Sequence, residues 1–472
     1  MEKPSSRWYA CSLVLYAAGL LSKSIVVTLP AALLIWHWWK QGRLTSTDLW
    51  RLVPFFAVGL VITVGDLSFY WSETTASLDY SLVERMLIAS HALWFYAGKL
   101  LWPSELAVIY PSWDIHVADP LAWGYLVAAI ALVVALWHFR RQLGRGPLAG
   151  ALFFAVTISP VLGFVDYTYM KYAFVADRHQ YLAGIGVMAV VISSAAYGVR
   201  RLSSMWQKGA LGIAAVVLVV LGTLTWRQAS IYRDDETFNR HIIALNPQAR
   251  NVHRHLGIAL YEQGRYEEAL DSYRVAVAHR PNYAKVHSNL GMVLNKLERF
   301  EEAETHVRRA IALDPKTKIR YQRLGNALYG QDRYAEAADA YRVSAEHHPD
   351  YAQAHSGLGA ALNELGRFEE AETHLRRAIA LNPNHTEALY HLATLRFKQQ
   401  RLDEAIEFLQ HLIGIEPGHA RALGDIGVAL FYLGRSDEAL QHFDRALSLD
   451  PTLEDVRANR EAVLEAMKGN VE

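Results

Sequence analysis

Seven prolines set a fixed rhythm in the second half of this chain: Pro247, Pro281, Pro315, Pro349, Pro383, Pro417 and Pro451, each 34 residues from the next. Other columns keep the same step. Gly257, Gly291, Gly325, Gly359 and Gly427 form one, interrupted by Ala393. Ala269, Ala303, Ala337, Ala371, Ala405 and Ala439 form a second. Arg265, Arg299, Arg333, Arg367, Arg401 and Arg435 form a third, without exception.

A repeat this short cannot bury an apolar face alone, so successive units must stack. Proline closes each unit because it cannot continue a helical hydrogen-bond ladder. The glycine and alanine columns let two helices approach closely, and Leu256, Leu290, Leu324, Leu358 and Leu392 fill the seam between them. A 34-residue period with these columns is the signature of the tetratricopeptide repeat, a helix–turn–helix unit. The expected layout is a leading helix in 231–249, six repeats in 250–451, and a polar capping helix and tail in 452–472. Residues 299–315 (RFEEAETHVRRAIALDP) recur at 367–383 with 15 of 17 positions identical, which points to duplication of a two-repeat block.

The net charge is zero, but that average hides two unlike halves. Residues 1–230 are dominated by apolar runs and hold the tryptophans, while the repeats are charged and mixed. Nothing is basic enough to suggest nucleic acid. The lone Cys11 excludes an intramolecular disulfide. The basic start (Lys3, Arg7) imitates a signal peptide, but the apolar run continues past Lys23 to Trp39 and further runs follow. The fold class is therefore all-α: a polytopic membrane domain in 1–230, then a solenoid.

A helix needs about 20 mostly apolar residues to cross the hydrocarbon core. Five runs qualify: 52–71, 120–138, 148–165, 181–199 and 209–226. Residues 9–39 read as a helical hairpin broken at Ser22-Lys23-Ser24, with a single kinked span as the rival reading. Residues 83–101 carry Glu84, Arg85, His91 and Lys99, and read as a non-crossing interfacial helix. Basic residues concentrate in the loops 40–51, 140–145 and 200–208, which places these on the cytoplasmic side. Loops 72–81 and 102–119, and the repeats, then fall on the extracytoplasmic side, in a bacterium at the inner membrane.

That outer face gathers Lys23, Lys171, Arg178 and His179 beside Asp66, Asp114, Asp166 and Asp177. Basic side chains there suit phosphate oxygens through charge-assisted hydrogen bonds, and neighbouring acids suit a general base toward a hydroxyl. Tyrosine and tryptophan also enrich at membrane interfaces simply as anchors, and Asp177 beside Arg178 also fits a local ion pair capping the next helix. In the repeats, the groove-facing positions vary: Arg254, Ser288, Gln322, Ser356 and Tyr390 in one row, and Tyr261, Asn295, Tyr329, Asn363, Phe397 and Phe431 in another. Aromatic residues alternating with amides suit an extended peptide; an ordinary solvated surface is the plainer reading. His253, His255, His287, His355 and His391 lack metal-ligand spacing and read as surface or inter-helix packing, so no metal site is expected.

The stretches SKSIVVTLPAALL (22–34), ERMLIASHALWFYAGKLLWPSELAVIYPSWD (84–114) and MKYAFVADRHQYLAGIG (170–186), followed by the repeats, resemble bacterial relatives of the transmembrane and tetratricopeptide repeat-containing O-mannosyltransferases. The resemblance implies a polytopic GT-C glycosyltransferase that takes a polyprenyl-phosphate-linked sugar and modifies Ser or Thr hydroxyls, its repeats holding protein acceptors. Lys23, Lys171, Arg178 and His179 would then serve the donor phosphate. Such enzymes carry a catalytic acid in the first outer loop, and here Ser22-Lys23-Ser24 holds none. The chain is thus expected to be the C-terminal part of such an enzyme, with no catalytic acid to carry over. The alternative is a non-catalytic membrane scaffold that recruits protein partners.

Overall fold

The computed structural model describes residues 6–73, 80–164, 170, 173–249, 251–317 and 319–469, and for 66–73 and 178 the backbone alone. The chain divides into two compact units, Met1–Val252 and His253–Glu472. Every element described in either is helical.

The first unit holds α1 (Ser6–Ser22), α2 (Leu29–Gln41), α3 (Ser46–Glu73), α4 (Leu82–Leu101), α5 (Pro120–His138), α6 (Gly146–Ile158), α7 (Tyr181–Arg200), α8 (Ser204–Ile231) and α9 (Asp235–Leu245). Four stretches among the described residues are long and apolar enough to cross a membrane: Ser46–Gly65, Pro120–Arg141, Tyr181–Arg200 and Ser204–Ile231. Their leucines, valines and isoleucines are largely exposed, as a lipid-facing surface requires. The α3 helix starts before the expected 52 because Thr45 and Asp48 cap it reciprocally, each side chain accepting from the other's backbone N–H. The fifth expected span is shorter than proposed. The helix and a 3-10 turn cover only Gly146–Val161, since Pro160 sits in that turn. Helices α6 and α7 pack tightly at Gly150 and Gly186, where an added Cβ would meet the other's carbonyl at 2.8 and 2.6 Å.

The expected hairpin in 9–39 takes a different form. Helices α1 and α2 meet at a 3-10 joint, Ser24–Thr28, and pack on different neighbours, α1 on α3 and α2 chiefly on α6. Helix α4 also departs from expectation in one respect. Both of its ends are tied to one face: Arg85 Nη1 donates to Gly163 O at 2.9 Å, and Lys99 Nζ to Ser104 O at 2.5 Å. Gly163 follows α6 and Ser104 precedes α5, and a short turn joins these two helices, so both loops lie on the same side. A non-crossing helix fits these ties. Yet Leu87, Ile88, Ala89, Ala92 and Tyr96 are buried in the unit's main core under the loops. The apolar stripe of α4 therefore belongs to protein packing, not to a lipid interface.

The second unit is a tetratricopeptide solenoid. Its helix pairs are α10 (Val252–Glu262) with α11 (Tyr266–His279), α12 (Ala284–Lys296) with α13 (Phe300–Leu313), α14 (Ile319–Tyr329) with α15 (Tyr334–His347), α16 (Ala352–Glu364) with α17 (Phe368–Leu381), α18 (Thr386–Lys398) with α19 (Leu402–Ile415), and α20 (Ala420–Tyr432) with α21 (Ser436–Leu449). Helix α22 (Glu454–Gly469) closes the stack through Val456 and Val463. The glycine column works by contact. A Cβ on Gly291 would meet the Val307 side chain at 2.4 Å, on Gly325 Tyr341 at 2.6 Å, and on Gly359 Leu375 at 2.6 Å. The arginine column precedes the second helix of each pair, and each member pairs with the glutamate three residues on, as in Arg265–Glu268 and Arg435–Glu438 at 2.6 Å. Such exposed, solvent-screened pairs contribute little to stability. A column not read from the sequence sets the turn inside each pair. Gly264, Glu298, Asp332, Gly366, Gln400 and Gly434 all take positive φ, from 57° to 78°.

Candidate functional site

The loop face of the first unit is built around Tyr110. Its hydroxyl lies 3.0 Å from both carboxylate oxygens of Asp177, 67 residues away, and donates to that carboxylate. It also accepts from the Ala107 N–H at 3.0 Å. Lys99, one turn from the end of α4, reaches the carbonyls of Ser104 and Glu105 and lies 5.5 Å from the Tyr110 ring centre. Glu105 holds φ 50°, a conformation disfavoured for residues with a Cβ. A second tie, from Ala176 N–H to the Tyr96 hydroxyl at 3.0 Å, fixes the residue before Asp177. Burial pushes the Asp177 carboxyl above the usual aspartate range, while the Tyr110 bond, the Lys99 charge and the Ala107 amide oppose the rise.

Asp177 is thus a brace for the turn Asp177–His179, which leads into α7. It does not cap that helix: the N-cap is Gln180, with no side-chain cap bond. Lys23 stands exposed at the joint between α1 and α2, and that joint packs on Ser159–Val161 at the end of α6, on the same face. Asp114 is exposed and pairs with His116 at 3.0 Å. Lys171 and Asp166, and the side chains of Asp66 and Arg178, lie outside the described residues. Sequence reasoning passed over Lys99 as a mere interruption of an apolar run; its position one turn before the Trp102-Pro103 break was the available signal. His91 was passed over likewise, and its ring lies between Trp113 and Tyr125, with centres 3.9 and 4.4 Å away. The same face receives the end of α8, where Gln228 Nε2 donates to Leu106 O at 3.3 Å, and α9, whose Ile242 packs with Val108 and Ile109.

In the solenoid a cavity of about 450 Å³ opens on the first-helix side of the repeats. Of the expected groove residues, Tyr261, Asn295, Gln322, Tyr329 and Ser356 line it. Arg254, Asn363, Tyr390, Phe397 and Phe431 are not among its lining. Asn363 is only 2% exposed, and Tyr390, Phe397 and Phe431 pack partly into the core of the last repeats. Arg323, Tyr351 and His391 also line the cavity and were missed. His287 and His355 clasp helix pairs: each bonds a histidine of the following helix, His306 and His374, through Nδ1 at 3.1 and 3.0 Å, and donates from Nε2 to a proline carbonyl.

Sequence profiles of the tetratricopeptide repeat match residues 257–297, 284–317, 323–384, 364–424 and 420–453. Two curated relatives are O-mannosyl-transferases. Mouse Protein O-mannosyl-transferase TMTC1 is 25% identical over 224 residues, 43% of this chain and 22% of its own length. Its Drosophila melanogaster counterpart is 29% identical over 136 residues, 28% of this chain and 15% of its own length. The matched stretch therefore spans about a fifth or less of these relatives. Among solved structures, YrrB, described as a tetratricopeptide protein with an unusual peptide-binding site, is 25% identical and covers 40% of this chain and 97% of its own, with a TM-score of 0.31. A tetratricopeptide repeat protein from Parabacteroides merdae is 16% identical and covers 52% of this chain and 97% of its own, with a TM-score of 0.43.

Proposed function

We propose that this tetratricopeptide protein with membrane-length apolar helices belongs to a polyprenyl-phosphate-sugar-dependent protein O-glycosylation system. The first unit supplies the donor-phosphate side of the site, and the solenoid holds protein or peptide acceptors. The braced turn at Asp177 carries the reading. Tyr110 and Tyr96 hold this turn at the loop face, with the Lys99 charge acting on Asp177, and the next two residues, Arg178 and His179, are the types that bind phosphate oxygens. Similarity to two O-mannosyl-transferases supports the same chemistry. Lys23 and Lys171 complete the basic set, and Asp177 acts by positioning. The repeats stand on the extracytoplasmic side, where such acceptors are modified, as the basic loops favour.

The test is transfer of labelled sugar from polyprenyl-phosphate mannose to Ser/Thr-rich peptides by the chain reconstituted in liposomes. Label on peptide that disappears in Arg178→Ala is the expected result. A folded chain that binds peptide but neither transfers sugar nor binds the donor would overturn the proposal in favour of a scaffold. A C-terminal alkaline phosphatase fusion should be active in a bacterial host; an inactive one would refute the orientation.

A further inference from the structure

Three of the buried or half-buried arginines on the first helices of the solenoid are treated differently. Arg320 pairs with Asp314 at 2.8 Å, and Arg396 with Glu372 and Glu404 at 2.5 and 2.9 Å. Arg323 has only neutral acceptors. Its Nη1 donates to Ser288 Oγ at 2.6 Å and Asn289 Oδ1 at 3.3 Å, and its Nη2 approaches the Met292 sulfur at 3.2 Å. Among the described residues no aspartate or glutamate pairs with it, and the groups that act on it electrostatically are Tyr351, Tyr273, Tyr261 and Arg320. A desolvated cation held by neutral groups alone is costly. This one lines the cavity.

The lining of the cavity around it suits an extended chain. Tyr261, Tyr329 and Tyr351 supply apolar walls with polar tips, while Asn295 and Gln322 offer amides. Asn295 Nδ2 is committed to Arg323 O at 2.9 Å, but its buried Oδ1 has no hydrogen-bond partner. Gly357 occupies the position 34 residues after Arg323. A Cβ there would meet the Tyr341 ring at 2.4 Å, so the column that supplies charge in one repeat admits the Tyr341 ring in the next.

We propose that Arg323 anchors the carboxylate of an Asp or Glu side chain in an extended peptide laid along this cavity. The proposal deepens the reading of the solenoid as a peptide holder and rests on it. A carboxylate completes the guanidinium bidentately. A doubly charged phosphate fits less well, because Glu387 lines the same cavity and repels the higher charge more strongly.

The experiment passes a positional-scanning decapeptide library, with phosphoserine members included, over the full chain in detergent, immobilised by a C-terminal tag. Asp and Glu should be enriched about tenfold or more at one position. Arg323→Gln should abolish that enrichment while neutral peptides are still retained, and Arg323→Lys should keep part of it. Bound peptides without acidic enrichment, or enrichment that survives Arg323→Gln, would overturn the anchor and leave the groove reading intact. No retained peptide would overturn both. Preference for phosphoserine over Asp and Glu would overturn the carboxylate assignment. Should Arg323→Gln fail to fold, the wild type decides: enrichment must fall as salt is raised, and enrichment indifferent to salt overturns the proposal.

Discussion

Arg396 occupies a position that is leucine in the other repeats: Leu260, Leu294, Leu328, Leu362 and Leu430. Like them it is buried, at 0% exposure. Its guanidinium is gripped by Glu372 through both carboxylate oxygens, at 2.5 and 3.1 Å, and by Glu404 at 2.9 Å. The bond from Arg396, with help from Arg376, holds the Glu372 carboxyl down at about 2, from an ordinary 4.5. Glu372 is partly exposed, so solvent screening leaves only part of the roughly 3 kcal/mol that a displacement of that size would carry at neutral pH. Restoring leucine returns about 2 kcal/mol of apolar burial. Removing one partner of a buried pair costs about 3–5 kcal/mol. Arg396→Leu is therefore expected to destabilise the solenoid by about 1–3 kcal/mol at pH 7, despite matching the repeat's own pattern. The sign with pH follows from a depressed acid. Its stabilisation is present above about pH 4.5 and is lost as pH falls toward 2, so the gap between wild type and variant must narrow over that window. Urea unfolding of His253–Glu472, followed by circular dichroism between pH 7 and pH 3, measures it. A variant as stable as wild type at pH 7, or a gap that stays constant to pH 3, would refute the reasoning.

Gln400 holds φ 59° where three other repeats carry glycine; Gln400→Gly should raise stability by up to about 1 kcal/mol in the same unfolding assay, since a left-handed residue with a Cβ costs about 1–2 kcal/mol and glycine returns part of that as chain entropy. Burial, and beside it the facing imidazole, holds His306 and His374 below the ordinary histidine value. Both groups stabilise the fold while neutral, so stability should fall as pH drops below about 6.5, and the double variant His306→Gln, His374→Gln should flatten that slope. Gly325→Ala places a Cβ 2.6 Å from the Tyr341 ring and should cost about 1–3 kcal/mol by overpacking, read as a lower urea midpoint.

The solenoid was legible because one constraint acts on every repeat. Gly257, Gly291, Gly325, Gly359 and Gly427 each face a bulky side chain 16 residues on, so each position is dictated by contact and recurs in the sequence. The membrane spans were legible for a similar reason, since lipid asks only for length and apolarity. Features that depend on one partner left no period to read. Arg396 breaks a leucine column, and nothing in the sequence says that Glu372 and Glu404 reach it. Tyr110 and Asp177 are 67 residues apart, and their bond exists only because two loops meet.

The same contrast locates function within the repeats. The row His255, Asn289, Arg323, Gly357, His391, Asp425 carries a different residue type in nearly every repeat. The glycine and alanine columns are pinned by helix-to-helix contact, which admits one size. The cavity row meets a different neighbour from repeat to repeat: Arg323 reaches Ser288 and Asn289, while Gly357 leaves room for the Tyr341 ring. Both residues line the cavity. Specificity in a solenoid of this kind therefore accumulates in the columns that fail to repeat, and those columns are where substitutions should alter binding without altering the stack.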